Sequence, residues 1–280
     1  MKTKLFTNLL IVTLGLIIIS CDNNYNSPLT DNSLHVFSVG ENKKVVFSKG
    51  NLQYQPSTNT WRFAENQYDV ITQENNNITN NTYTGWIDLF GWGTGSQPTK
   101  TSKEYADYAS FNDWGGNNID NYSSKTWRTL TITEWEYLLY ERKQANMLHG
   151  LAKVNDINGL ILIPDKYWTT VDSLTNGLIF NGVRFKPGFY DKLSKKFQQT
   201  SQTYSLDEWN KLEEIGAIFL PSGGYRIGVN VFYLENYGAY WTRDAYRHNS
   251  AKFLYFYTDK TGFGNNLKIN GFSVRLVSDL

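Results

Sequence analysis

A single cysteine in 280 residues, Cys21, leaves this chain without an intramolecular disulfide, so a fold of this size has to be held by packing. The composition shows what does the packing: 16% of the residues are aromatic, including 9 Trp and 19 Tyr. Such side chains suit a core with much loop and little helix, because each covers a large area while its polar tip reaches a backbone group. They suit binding faces for the same reason.

The position of the cysteine matters as much as its solitude. Lys2 and Lys4 precede an apolar run from Leu5 to Ile19, and Ile18-Ile19-Ser20 stands directly before Cys21. That order is a basic region, an apolar region and a small residue at a cut. The run falls short of the roughly 20 residues that cross a bilayer as a helix. Ending in cysteine, the segment resembles a bacterial lipobox. The resemblance implies a lipoprotein signal peptide over residues 1–20 and a diacylated Cys21 as the first mature residue. Each buried acyl methylene would contribute about 0.8 kcal/mol of anchoring. The expected location is therefore outside the cytoplasm, lipid-anchored at the outer membrane and facing the cell exterior. A lipidated Cys21 leaves no thiol for nucleophilic or thiolate-ligand chemistry.

Residues 22–34 (DNNYNSPLTDNSL) are polar and aperiodic and read as a flexible tether. Residues 1–20 hold Lys2 and Lys4 and no acid, so the mature chain carries 25 basic against 26 acidic residues. That balance argues against nucleic acid or an anionic membrane surface as a partner, since both require a net basic face. Residues 35–280 are the right length for one domain, with no internal linker and no fixed-period repeat.

Within that domain the signals are mostly of strands. KVVFSKGNLQYQ (44–55) alternates around Gly50-Asn51, and TWRFA (60–64) follows a Pro-Ser-Thr-Asn turn. GLILIP (159–164), GAIFLP (216–221), AYWTRD (239–244), KFLYFYTD (252–259) and FSVRLV (272–277) read as further strands. Residues 72–122 are rich in Asn, Gly, Tyr and Trp; Trp86, Trp92 and Trp114 predict ordered irregular structure there. Two helices are legible from capping boxes. Thr133 with Glu136 opens one that buries Trp135, Leu138 and Leu139; Ser205 with Glu208 opens another that buries Trp209, Leu212 and Ile215 and ends at Gly216. Two helices among many short antiparallel strands define an α+β class.

Three stretches carry a resemblance. WRTLTITEWEYLL (127–139), FGWGT (90–94), and the closing series GGYR (223–226), GAYWTRDAY (238–246) and NGFSVRLV (270–277) resemble the formylglycine-generating-enzyme-like branch of the C-type lectin fold. The match is to the variant found in surface lipoproteins of gut bacteria and in variable proteins of diversity-generating retroelements. It spans roughly residues 45–280 and implies a compact, loop-rich domain whose first and last strands meet. The oxidase relatives use a C-terminal cysteine pair, which this chain lacks. The iron-dependent relatives use a set of histidines, whereas His35, His149 and His248 are scattered here. The calcium motifs of sugar-binding relatives have no match; IPD (163–165) and FNDW (111–114) fit neither of their two loops. The expected protein is thus no enzyme and holds no cofactor or metal. Asp88, Asp113 and Asp120 are expected in solvated or turn-capping roles rather than on calcium. Asp172-Ser173-Leu174 resembles a short O-glycosylation acceptor of this bacterial group.

The candidate binding face lies in residues 243–270. KFLYFYTDK puts Leu254 and Phe256 on one strand face and Phe253, Tyr255 and Tyr257 on the other, so one aromatic face is expected to remain uncovered. Around it, Arg243, Asp244, Tyr246, Arg247, His248, Asn249, Asn265, Asn266, Lys268 and Asn270 supply the Tyr/Arg/Asn mixture of paratopes. The expected partner is a protein or carbohydrate at the cell surface, bound by a monomer through this face. In the retroelement relatives the variable positions lie in the same stretch. Two other readings stay open: an enzyme with a cofactor site that no motif marks, and a structural subunit of a surface appendage. The second lacks any donor-strand-like terminus.

Overall fold

A computed structural model describes residues 35–170, 178–191, 196–198 and 201–280. Cys21, the signal peptide, the tether and Asp172-Ser173-Leu174 lie outside the described residues. Among the described residues no helix is long and apolar enough to cross a membrane.

The fold is mixed α and β, dominated by short strands. A terminal sheet orders its strands Phe37–Gly40, Lys43–Phe47, Leu276–Asp279 and Arg128–Thr129, so the beginning and the end of the domain pair directly, Val277 opposite Phe47. A middle sheet orders Gln202–Tyr204, His149–Val154, Ile157–Leu162 and Ile218–Pro221, antiparallel except for the first pair. A C-terminal sheet is an antiparallel meander of Gly238–Arg247, Ser250–Phe256 and Thr261–Leu267.

Period-two alternation explains how these sheets share three cores. In the C-terminal sheet Ala239, Trp241 and Phe253 face one core, while Tyr240, Leu254 and Phe256 face a second. The middle sheet closes the second core with Leu151, Leu160, Leu162 and Leu220, and turns Ala152, Val154, Ile161 and Phe219 to a third. The inner strands of the middle sheet and residues 238–242 and 251–256 of the C-terminal sheet are largely covered on both sides, which is why GLILIP, GAIFLP and KFLYFY read as near-continuous apolar runs. The two-sided strand KFLYFY is therefore largely buried: Phe253 is core rather than surface, and only its end remains open.

The first helix, α1, spans Ile132–Glu136, and its box is Thr131 with Glu134, two residues before the expected Thr133 and Glu136. The neighbours decide this. Arg128 forks onto both oxygens of Glu134 (2.9 Å each) and onto Asp279 of the last strand. Asp244 takes the Ile132 N–H at 2.7 Å. The chain continues as one π turn over Tyr137–Glu141, and Trp135, Leu138 and Leu139 are buried as expected. The second helix, α2 (Leu206–Glu214), carries the Ser205–Glu208 box, buries Trp209 and Leu212, and closes at Gly216, whose φ of 89° is the left-handed conformation of a helix end.

Residues 72–122 are ordered, with 3-10 turns at Gln73–Asn77, Tyr105–Tyr108 and Trp114–Gly116. Trp92 and Trp114 are core, and Trp86 lies under the Arg62 guanidinium at 3.9 Å. The closing segment NGFSVRLV reaches a regular strand only at Leu276. Before that, Gly271, Phe272 and Ser273 bridge in turn to Arg226, Phe90 and Tyr240, threading between elements.

Candidate ligand-binding surface

The three aspartates considered for calcium all hold protein partners. Asp88 is fully buried; it accepts the Ile71 N–H (3.0 Å) and Asn75 Nδ2 (2.9 Å), while Asn75 Oδ1 accepts the Asp88 N–H. Desolvation pushes its carboxyl up to about 7, against those hydrogen bonds. Asp113 caps the Trp114 turn through the Gly115 N–H and also takes the Thr129 hydroxyl. Asp120 takes the Phe63 N–H and pairs loosely with Lys49 at 3.7 Å. Among the described residues no three His, Cys, Asp or Glu side chains are grouped to hold a metal. His149 is buried, its Nδ1 donating to the Ala145 carbonyl, and His248 is exposed.

The proposed contact residues do not form one site. Six residue steps of strand lead from Ser250, opposite Arg247, to Phe256, which is about 20 Å of extended chain. At one end the hairpin projects as a ribbon. Arg243, Tyr246, Arg247, His248 and Asn265 are exposed there, and the Tyr246 ring carries the Arg247 guanidinium (5.1 Å) and the Lys252 ammonium (4.3 Å). At the other end stand Tyr255, half-buried, and Tyr257, exposed.

Four of the expected contacts are engaged with the protein itself, one of them buried and three partly so. Lys268 is 3% exposed, with its ammonium over the Trp92 ring at 4.3 Å, a closed cation–π contact. Asp244 caps α1. Asn266 is half-buried and accepts the Leu267 N–H and Asn270 Nδ2, tying off the edge strand. Asn249 is half-buried, and its carbonyl accepts the Lys268 N–H.

The Tyr255–Tyr257 end meets a second element that the sequence reading passed over. The hairpin Tyr225–Ile227/Asn230–Phe232 and the turn after it bring four more rings to this edge. Tyr225 pairs across the hairpin with Phe232 (5.6 Å between centroids, 28° between planes) and stacks on Tyr233 (5.9 Å, 18°). Tyr237 stands edge-on to Tyr225 at 5.9 Å and meets Tyr257 at 4.7 Å. The terrace is rooted in the core, since Tyr225 abuts Phe272 and Phe272 stacks on Trp241 at 4.2 Å.

Backbone and charge hold it there. Arg226 lies fully buried beneath the hairpin; its N–H and C=O pair with Gly271, its Nε reaches the Leu89 carbonyl, and its Nη1 donates to the Gly228 carbonyl. Among the described residues no carboxylate answers that charge, and desolvation lowers its pKa to about 10. A Cβ on Gly271 would stand 2.7 Å from the Arg226 Nε, so only glycine fits. On the neighbouring edge strand a Cβ on Gly262 would meet the Tyr255 hydroxyl at 2.9 Å, so that glycine makes room for the ring. Tyr233 (φ 53°) and Glu235 (φ 63°) are left-handed without being glycine, a backbone cost concentrated in the turn that presents the rings. Burial and the nearby hydroxyls push Tyr225, Tyr237 and Tyr257 upward, so all three stay protonated at neutral pH. The outer rings are open: Phe232 is 40% exposed, Tyr233 64% and Tyr257 37%.

The signal for this surface was present as four aromatics in the thirteen residues 225–237, but their period does not distinguish a core hairpin from an exposed one. Comparison with known proteins gives no match: no family model, no curated protein and no solved structure is similar to this chain.

Proposed function

We propose that this chain is a lipid-anchored binding module of the cell surface, with a C-type-lectin-like fold, taking a protein or glycan ligand on the face formed by its C-terminal sheet. The anchor is the reading of Cys21 as a lipidation site. The fold reading draws support from the direct pairing of Lys43–Phe47 with Leu276–Asp279, the meeting of termini that the resemblance implies. One observation carries the function: a set of aromatic rings, in contact with one another and rooted in the core, stands open to solvent at the edge of the C-terminal sheet. Contiguous exposed apolar surface of this kind marks interaction sites. Rigid tyrosines give contact area at low entropy cost.

Two measurements test it. Cells fed an alkyne fatty acid should label the protein and retain it with membranes, and Cys21→Ala should lose both; label that persists in the variant would end the anchor reading. For the ligand, the full-length chain is applied to a printed array of glycans and extracellular proteins. Captured features should disappear with Tyr233→Ala/Tyr257→Ala, whose side chains are exposed and whose loss should leave melting within a few degrees. Capture of nothing, or capture indifferent to those tyrosines, would count against a binding function on this face.

A further inference from the structure

The tyrosine terrace is specific enough to name a ligand class. We propose that it is a calcium-independent carbohydrate site, on which a neutral pyranose chain packs against the exposed parts of Phe232, Tyr233 and Tyr257; this rests on the reading of the chain as a binding module.

Area is the first argument. At the exposures given above, these rings offer on the order of 300 Å² between them, taking about 200 Å² for each whole side chain. A stable protein–protein interface needs about 800 Å² from each partner. Three side chains fall well short of that figure by themselves, and an area of this size suits a small, flat ligand such as a short sugar chain.

Chemistry is the second. An aromatic ring is electron-rich on its face, and a pyranose presents one flat face of weakly positive C–H bonds with hydroxyls around the rim. The tyrosines repeat that pattern, a flat apolar body with a hydroxyl edge. Because Tyr225 and Tyr257 are held protonated, their hydroxyls can both donate to and accept from sugar hydroxyls. The flanking charges are mixed. Glu235 follows the Tyr233 turn, Asp259 lies near Tyr257, and the Lys260 ammonium sits 4.5 Å over the Tyr257 ring. That mixture fits a neutral, hydroxyl-rich chain better than a phosphate or sulfate.

Preorganisation is the third. The 18° and 28° ring stacks, the buried Arg226 and the left-handed turn at Tyr233 set the ring planes before a ligand arrives. Little side-chain freedom is then lost on binding.

Native affinity electrophoresis of the full-length chain in gels containing mannan, arabinoxylan, xyloglucan or mixed-linkage β-glucan is the test. At least one gel should retard the wild-type protein, with chelator present as well as absent. Tyr233→Ala/Tyr257→Ala should weaken retardation roughly tenfold or more, as hot-spot aromatics do. Tyr233→Phe/Tyr257→Phe, which keeps the stacking faces, should retain most of it, and Tyr246→Ala/Arg247→Ala at the far ribbon should run as wild type. No retardation in any gel, retardation abolished by chelator, or an alanine pair that still binds would each overturn the proposal. If the array captures proteins through the same tyrosines while every gel is negative, the sugar assignment falls and the binding module stands. If array and gels are both empty, both fall.

Discussion

Trp241→Ala is expected to destabilise the domain by about 3–5 kcal/mol, the range for truncating a large buried aromatic. The indole is 1% exposed, stacks on Phe272 at 4.2 Å, and donates from Nε1 to the Phe90 carbonyl at 2.7 Å. Its loss opens a cavity where the C-terminal sheet, the irregular region and the closing segment meet, and removes one of the two donors to the buried Phe90 carbonyl, which keeps the Phe272 N–H. Trp241→Phe keeps the stack and loses the hydrogen bond, so its cost should be nearer 1–3 kcal/mol. Urea denaturation of the two variants separates the terms. A cost under about 1 kcal/mol for the alanine variant would mean that the cores are not held together at this point.

The second large effect is hidden in the wild-type protein. Asp88 is raised from 3.8 to about 7 in the fold, chiefly by desolvation. The folded state therefore holds its proton more tightly, and stability from this group is full below about pH 4 and is lost as pH rises toward 7. His149 is lowered from 6.5 to about 4, again chiefly by desolvation. Its neutral ring is favoured in the fold, so its contribution is full above pH 6.5 and is lost as pH falls toward 4. Each shift corresponds to about 3–4 kcal/mol across its window. Between pH 4 and 6.5 the two slopes oppose, and wild-type stability should be nearly flat. Asp88→Asn leaves the histidine slope, so stability should rise with pH by about 3 kcal/mol over that window. His149→Asn, which keeps a donor for the Ala145 carbonyl, should show the reverse. Denaturation midpoints at half-unit pH steps check both; variant profiles parallel to the wild type would exclude the compensation.

The pH argument needed the tertiary structure, because nothing in the strings WIDLF or NMLHG says that Asp88 and His149 are sealed from water. Local signals fared better where the deciding atoms are near in sequence. The Ser205–Glu208 box, the burial of Trp209 and the closure at Gly216 were all legible, since a helix start and stop are settled within a few residues. The box of α1 was misplaced by two residues because long-range partners chose it: Arg128 holds Glu134, and Asp244 takes the Ile132 N–H. Likewise Lys268 looked like a surface cation until the Trp92 ring was seen to close over it.

From its sequence alone, this chain was bound to fold without disulfides, to pack around Trp and Tyr, and to build an α+β domain of short strands with an ordered irregular region. Composition and short-range periodicity determine these properties, and neither depends on where distant segments lie. Tertiary structure alone decided which aromatics are covered. Alternation along a strand separates two faces but does not say which has a neighbour, and at KFLYFY both do until the strand ends. It also parted Tyr246 from Tyr257 along the sheet and brought the Tyr225–Tyr237 segment beside the latter. Such a surface is assembled from side chains some thirty residues apart, through pairings that no local pattern records.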